Sequence, residues 1–305
     1  MTRHRWACNP QFPMSLFGLL NLNKPAGVTS RDVVDRVDRI TAGAKAGHAG
    51  TLDPLATGVL VVCVGPATRL IEYVQRMPKC YTGTFLLGRR SDTEDVEGEV
   101  VELPDPPRPA VDEIRRAAAS LTGTIEQRPP DYSALKIRGR RAYKLARQGK
   151  PVELKPRPVN VYGIEVADYD YPRLVLDIEC GSGTYIRSLG RDLAESLGTA
   201  AVMSSLVRTA IGALRVEDAV SPEHLTDENV AQHLLPALRA VDALPRAQLT
   251  AKELTEIAHG RTITRDMPSD CGDVAATDAS GRLVAILTRR AGWGFRPIRN
   301  FIAAG

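Results

Sequence analysis

The chain lacks the patterns that announce a metal site, a disulfide framework or a membrane segment. Its five cysteines (Cys8, Cys63, Cys80, Cys180 and Cys271) form no C-x-x-C pair. That excludes a cysteine zinc site and fits a reduced, cytoplasmic protein. The histidines at 4, 48, 224, 233 and 259 are isolated, and no metal-ligand spacing links them. No apolar run reaches the ~20 residues needed to span a bilayer; "VLVVCVG" stops at Gly65. The opening "MTRHRWACNPQFP" is basic without an apolar core. It is therefore no signal peptide, and residues 1–13 are expected to be a disordered extension or a misassigned start ahead of Met14. Neither G-x-S-x-G nor G-x-x-x-x-G-K-[ST] occurs, so the hydrolase nucleophile turn and the phosphate-cradling loop are both excluded.

Charge is unevenly placed rather than large. The net charge of the 305 residues is +4. Lys136 to Arg157 carry nine Lys or Arg and one acid, Glu153, whereas residues 91–113 carry nine acids. One basic surface set against an acidic one suits a polyanion held on a defined face.

The apolar "FGLLNLN" reads as a strand followed by a Pro/Gly turn. Ser30 is a candidate N-cap for a helix with Val33, Val34, Val37 and Ile40 on one face and Gly43 as its stop. "VLVVCVG" has the length and β-branching of a buried strand, and residues 66–77 read as a helix entered through Pro66. Further strands are expected at 81–88, 159–169 and 173–180, with helices at 110–123 and 184–198. Irregular mixing of strands and helices predicts an α+β fold with a mixed, largely antiparallel sheet and flanking helices. Composition shifts near residue 245, and a strand pair around Ser280-Gly281 predicts a small β-rich module over 246–305.

Three features carry chemistry. Asp53 stands in "GHAGTLDPLATG". Asp before Pro commonly holds a turn by accepting a backbone N–H. The other reading is a reactive carboxylate on a rigid loop, where Gly47 and Gly50 let a planar group approach the backbone. His48 lies close by without metal partners. The segment over 127–157 interleaves Tyr132 and Tyr143 with Lys and Arg, including Arg140 and Arg141. That pattern suits RNA phosphates and unstacked bases, although a solvated helix face would read the same.

The segments "LNLNKPAGVTSRDVV", "GHAGTLDPLATGVLVVCVGPATRL", "KCYTGTFLLGRRSDTEDVEGEV", "QRPPDYSALKIRGRRAYKLARQG" and "GSGTYIRSLGRDLAESLG" occur in this order. Together they resemble the TruB family of bacterial tRNA pseudouridine synthases over roughly residues 17–215. The resemblance implies a pseudouridine synthase fold over 14–245, with 127–157 as a thumb-like RNA-binding segment. It also implies, more weakly, a PUA-like RNA-binding domain over 246–305. The implied activity is isomerisation of uridine 55 in the TΨC loop, without cofactor or metal, by a monomer. Asp53 matches the family's nucleophile, Arg187 its ionic partner, and Tyr81 the ring that stacks on the uracil. His48, Tyr185, Leu206, Gly50, Thr51, Lys24, Arg140 and Arg141 match substrate-binding positions. One departure is Ala213-Leu214, where the family often has a bulky aromatic; it reads as a packing change.

On this reading the target base leaves its stack to reach Asp53. The carboxylate then adds to C6 of the uracil, attacks C1′, or takes a proton from C2′, and the sequence leaves the three routes open. No second acid stands out. A guide-dependent synthase for another RNA is weakened by the lack of a long basic tail, and an RNA-folding module with incidental catalysis stays open. A glycosidase would need two facing carboxylates.

Overall fold

The run Thr57–Val64 is aliphatic almost throughout, and it forms a strand covered on both faces. Val59, Val61 and Cys63 point into one core, and Leu60, Val62 and Val64 into another. Around it the computed structural model describes residues 16–130, 136–137, 140–141, 154–265, 272–290 and 294–302. The expected extension over 1–13, the rings of Tyr132 and Tyr143, and the side chains of Arg140 and Arg141 lie outside the described residues.

The main sheet is built from β1 (Gly18–Lys24), β2 (Ala46–His48), β3 (Thr57–Val64), β4 (Lys79–Leu87), β5 (Gly123–Gln127), β6 (Arg157–Asp170), β7 (Arg173–Cys180), β8 (Ala201–Ile211) and β9 (Leu235–Pro236). Its order is β9-β1-β3-β8-β4-β7-β6-β5, with β2 beside β3 and the two-residue strand Leu214–Arg215 beside β8. Only β8 against β3 is parallel in this sheet. Helices α1 (Ser30–Ile40), α2 (Ile71–Arg76), α3 (Val111–Ser120) and α4 (Ile186–Ser196) flank it. Arg140–Arg141 pair with Lys136–Ile137 as a short hairpin.

Two expectations shift. Thr29, not Ser30, caps α1: its hydroxyl accepts the Asp32 N–H at 3.1 Å, and the Asp32 carboxylate accepts the Thr29 N–H at 2.8 Å. This reciprocal pair satisfies donors that the first turn leaves open. The helix expected over 66–77 is a 3-10 turn over Gly65–Leu70 followed by the single short α2.

Val33, Val34 and Val37 of α1 pack on Leu20, Leu60 and Val62, which sets the start of α1 against the β2–β3 loop. On the other side, Ile114 of α3 and Ile186, Leu189 and Leu193 of α4 cover Phe85, Leu174, Leu176 and Ile178. A second sheet, in the order β10 (Arg246–Gln248), β12 (Asp273–Thr277), β13 (Leu283–Arg289), β14 (Gly294–Asn300), β11 (Ile263–Thr264), carries helix α5 (Ala251–Ala258). Its Ala275, Leu283 and Ile286 share a core with Leu19, Leu70 and Tyr73 of the main body. Among the described residues no helix is long and apolar enough to cross a membrane.

Candidate active site

Asp53 lies in the loop from β2 to β3, and that loop is held from three directions. The Ser30 hydroxyl, at the start of α1, accepts the Leu52 N–H at 2.8 Å and donates to the Leu52 carbonyl at 3.1 Å. The Gly27 N–H and the Lys24 ammonium donate to the Pro54 carbonyl at 2.9 and 3.2 Å. Arg208 donates to the Gly50 carbonyl at 3.1 Å. The turn itself closes through the Ala56 N–H on the Asp53 carbonyl at 3.0 Å. The backbone thus does the work expected of a turn-holding carboxylate, and the Asp53 side chain turns to Arg187.

Arg187 sits in the first turn of α4. Its Nε is 3.1 Å from Asp53 Oδ2, and its Nη1 is 3.2 Å from Asp95 Oδ2. Nη1 also donates to the Thr93 carbonyl at 2.7 Å. The Asp53 side chain is 39% exposed, while Asp95 is 3% and Arg187 7% exposed. One carboxylate is therefore open to a ligand, and the buried cation behind it is charge-balanced from below. The sequence reading did not single out Asp95: it belongs to the acidic run over 91–113, and only the fold shows that this acid is buried against Arg187.

Strand register brings in the rest. Tyr81 of β4 pairs with Arg208 of β8, which pairs in turn with Gly58 of β3. Gly58 has φ +95°, and a Cβ there would lie 2.3 Å from the Arg208 carbonyl, so no other residue fits. Arg208 is buried and donates to the Val59 carbonyl at 2.7 Å. Sequence reasoning missed it, since an arginine in a strand carries no local signal of burial. Burial pushes the half-buried Tyr81 phenol upward, against the pull of the Arg208 cation. Leu206 is buried in the core on which Tyr81 and Leu55 pack.

His48 ends β2. Burial, with Arg208 and then Arg31 nearby, lowers its pKa from the usual 6.5, so the ring is neutral at pH 7. Its Nδ1 accepts the Gly50 N–H at 3.3 Å, which leaves Nε2–H as the donor. Gly50 has φ +151°, and Thr51 beside it is exposed.

Tyr185 precedes α4, which starts two residues later than expected. The buried Gln127 amide accepts the Tyr185 N–H at 2.8 Å and donates to its carbonyl at 3.0 Å. The Arg157 guanidinium lies 5.1 Å from the centre of the Tyr185 ring.

Lys24 is a correction. Its side chain is fully buried, and Nζ donates to the carbonyls of Pro25, Val28 and Pro54 at 2.8, 2.7 and 3.2 Å. All three ammonium protons are used, so Lys24 braces the Asp53 loop and offers nothing to a substrate. Among the described residues, no cluster of three His, Cys, Asp or Glu could hold a metal ion.

The site thus sets the accessible Asp53 carboxylate on the buried Arg187 guanidinium. The family model described as "TruB family pseudouridylate synthase (N terminal domain)" matches residues 38–186. The model described as "tRNA Pseudouridine synthase II, C terminal" matches residues 244–302. The tRNA pseudouridine synthase B of Dehalococcoides mccartyi (strain CBDB1) is 42% identical over 289 residues, covering 93% of this chain and 96% of that protein. The protein of that name from Arthrobacter sp. (strain FB24) is 40% identical over 299 residues, covering 94% and 97%. Among solved structures, that of a Cbf5-Nop10-Gar1 complex superposes with a TM-score of 0.72 at 26% identity, covering 94% of this chain and 85% of that one. The fold is that of a pseudouridine synthase. The chain belongs to the TruB family.

Proposed function

We propose that this chain converts uridine 55 in the TΨC loop of tRNA to pseudouridine, with Asp53 as the nucleophile. The observation that carries this reading is the accessible Asp53 carboxylate held 3.1 Å from the Arg187 guanidinium. The C1′–N1 bond breaks, the uracil turns, and a C5–C1′ bond forms. The proton on C5 is lost to solvent, and N1 gains one. Nothing is oxidised or reduced, so the chemistry calls for no redox cofactor. The base is extruded from the loop stack, and Tyr81 supplies the ring on which it rests. Arg187 keeps Asp53 oriented, while Ser30, Lys24 and Arg208 keep the loop from moving as charge develops. The Nε2–H of His48 and the exposed Thr51 face the RNA beside the base.

The basic segment with Arg140 and Arg141 contacts tRNA phosphates, and residues 246–305 form an RNA-binding unit beside the catalytic unit of 14–245. Within that unit Arg289 and Arg290 contact the tRNA stem; Arg290 is exposed and Arg289 lies over the Phe295 ring at 5.3 Å. We further propose that it acts as a monomer in the cytoplasm; the free thiols of Cys63, Cys80 and Cys180 support only the reducing location.

The test is tritium release from an unmodified tRNA transcript labelled at C5 of uridine. About one label per tRNA is expected, with none after Asp53→Asn or when cytidine replaces uridine 55. Release from Asp53→Asn at the wild-type rate would remove the nucleophile assignment. Release that survives the cytidine replacement would move the target elsewhere.

A further inference from the structure

Arg187 takes two contacts from one loop, the Thr93 carbonyl and the Asp95 carboxylate, and Glu94 lies between them. Glu94 has φ +62°, a backbone conformation that a non-glycine residue adopts at a cost. Something must hold it there.

The backbone is tied to β8: the Met203 N–H donates to the Glu94 carbonyl at 3.0 Å, and the Val96 N–H to the Met203 carbonyl at 3.0 Å. The side chain turns inward to α4. The Ser188 hydroxyl donates to Glu94 Oε2 at 2.8 Å, and Arg191 Nη1 pairs with Oε1. Both members of the ion pair are largely shielded from solvent, with side chains 12% and 17% exposed. Ser188 follows Arg187 directly, and Arg191 lies one helical turn beyond it. The stretch of α4 that presents Arg187 therefore also grips the loop that Arg187 must meet.

Asp95 does not do this by itself. Its Oδ1 accepts from the Thr93 hydroxyl at 2.6 Å and the Glu97 N–H at 3.1 Å, both within the same loop. Relative to α4, the loop is held by Arg187 itself and by Glu94. Arg191 carries the grip further: its Nη2 donates to the Arg128 carbonyl at 2.9 Å, just past the end of β5. Burial pushes the Glu94 carboxyl upward, and Arg191 and Ser188 oppose that push, so the acid depends on these partners for its charge.

We propose that Glu94, latched to Ser188 and Arg191, is a positioning residue that sets the Thr93 carbonyl and Asp95 against Arg187 and so orients Asp53.

The inference rests on the proposed isomerase activity for one readout and is independent of it for the other. The variants are Glu94→Ala, Glu94→Gly and Glu94→Gln. Single-turnover tritium release is measured at saturating tRNA, together with the tRNA Kd. Misplacement of a catalytic constellation by ~1 Å costs on the order of 100-fold. The Ala variant should therefore lose roughly 10- to 100-fold in rate, with Kd changed by less than about threefold. Glycine tolerates φ +62° but has no carboxylate, so Glu94→Gly should stay as slow as Glu94→Ala. Glutamine keeps an acceptor for Ser188, so it should recover part of the rate.

A wild-type rate in the Ala variant, full recovery in the Gly variant, or a loss carried wholly by Kd would each overturn the proposal. Hydrogen exchange of the peptide spanning Ser91–Glu97 supplies the second readout. Faster exchange is expected in the Ala and Gly variants, with β7 unchanged, and wild-type protection would overturn the latch. If the wild-type enzyme releases no tritium, the functional reading has failed, and the exchange result still decides whether Glu94 holds the loop. Should Glu94→Ala fail to fold, the Gly and Gln variants carry both measurements.

Discussion

Arg187 holds Nε 3.1 Å from Oδ2 of Asp53 and turns its other edge to the buried Asp95 and the Thr93 carbonyl. A flexible side chain with a single partner would follow that partner. An arginine fixed from behind presents a stationary charge instead, and the accessible carboxylate must come to it.

Loss of Asp95 should therefore be felt twice. Asp95→Ala removes one partner of a buried pair and is expected to cost about 3 kcal/mol in urea unfolding. The rate of tritium release should also fall at least about tenfold, because Arg187 loses its backing. Asp95→Asn keeps acceptors for Thr93 and the Glu97 N–H and should unfold closer to wild type. Wild-type rates in both variants would show that Arg187 needs no second carboxylate.

Thr29 and Ser30 are neighbours with separable roles. Thr29→Ala deletes the α1 cap and should cost about 1 kcal/mol with the rate preserved. Ser30→Ala deletes both hydrogen bonds to Leu52 and should cost about 1–2 kcal/mol. It should also slow the reaction, since Leu52 adjoins Asp53. Comparing denaturation midpoints with single-turnover rates separates the two; equal rates would deny Ser30 its hold on the loop.

Lys79 gives a pH signature. It is buried at the start of β4, where its ammonium donates to the Gln75 carbonyl. Burial, reinforced by Arg208, lowers its pKa from 10.5 to about 8. Between those values the unfolded chain binds the proton that the folded chain has released, so this group makes stability rise with pH there. Below pH 8 both states are protonated, and the contribution is flat. Relative to Lys79→Met, the wild-type protein should thus gain roughly 1–3 kcal/mol as pH rises from about 8 to 10.5. Urea titrations of both proteins across that window check it; a gap that does not change would mean that Lys79 keeps its ordinary affinity for protons.

Tyr81 separates the ring from the hydroxyl. Tyr81→Phe keeps a stacking face and should keep most of the tRNA turnover. Tyr81→Leu loses the platform, a loss of about 1–3 kcal/mol in the productive complex. Single-turnover rates decide it: a leucine variant faster than the phenylalanine one would remove stacking from the explanation.

Much of this molecule was legible in one dimension. The β3 run, the valines of α1 and the alternation over 173–180 declare their elements because burial repeats at the period of the local backbone. Asp53 stood out as a candidate, because its loop is short, glycine-bearing and followed directly by a buried strand, but those features suit a turn-holding carboxylate equally. What tertiary structure alone decided were the groups whose roles depend on distant partners. Lys24 reads as a cation for a substrate until three carbonyls around Pro25, Val28 and Pro54 consume it. Ser30 reads as a cap until Leu52 claims its hydroxyl. Glu94 and Asp95 read only as part of an acidic surface until α4 brings Arg191 and Arg187 against them. Local propensity and hydrophobic period act between near neighbours along the chain, so sequence by itself determined most of the elements, while Asp53 rose above a turn residue only through the likeness to a known family. Ion pairing and desolvation act through space, and only the packing of α4, β4 and β8 decided which charges are buried and what each one faces.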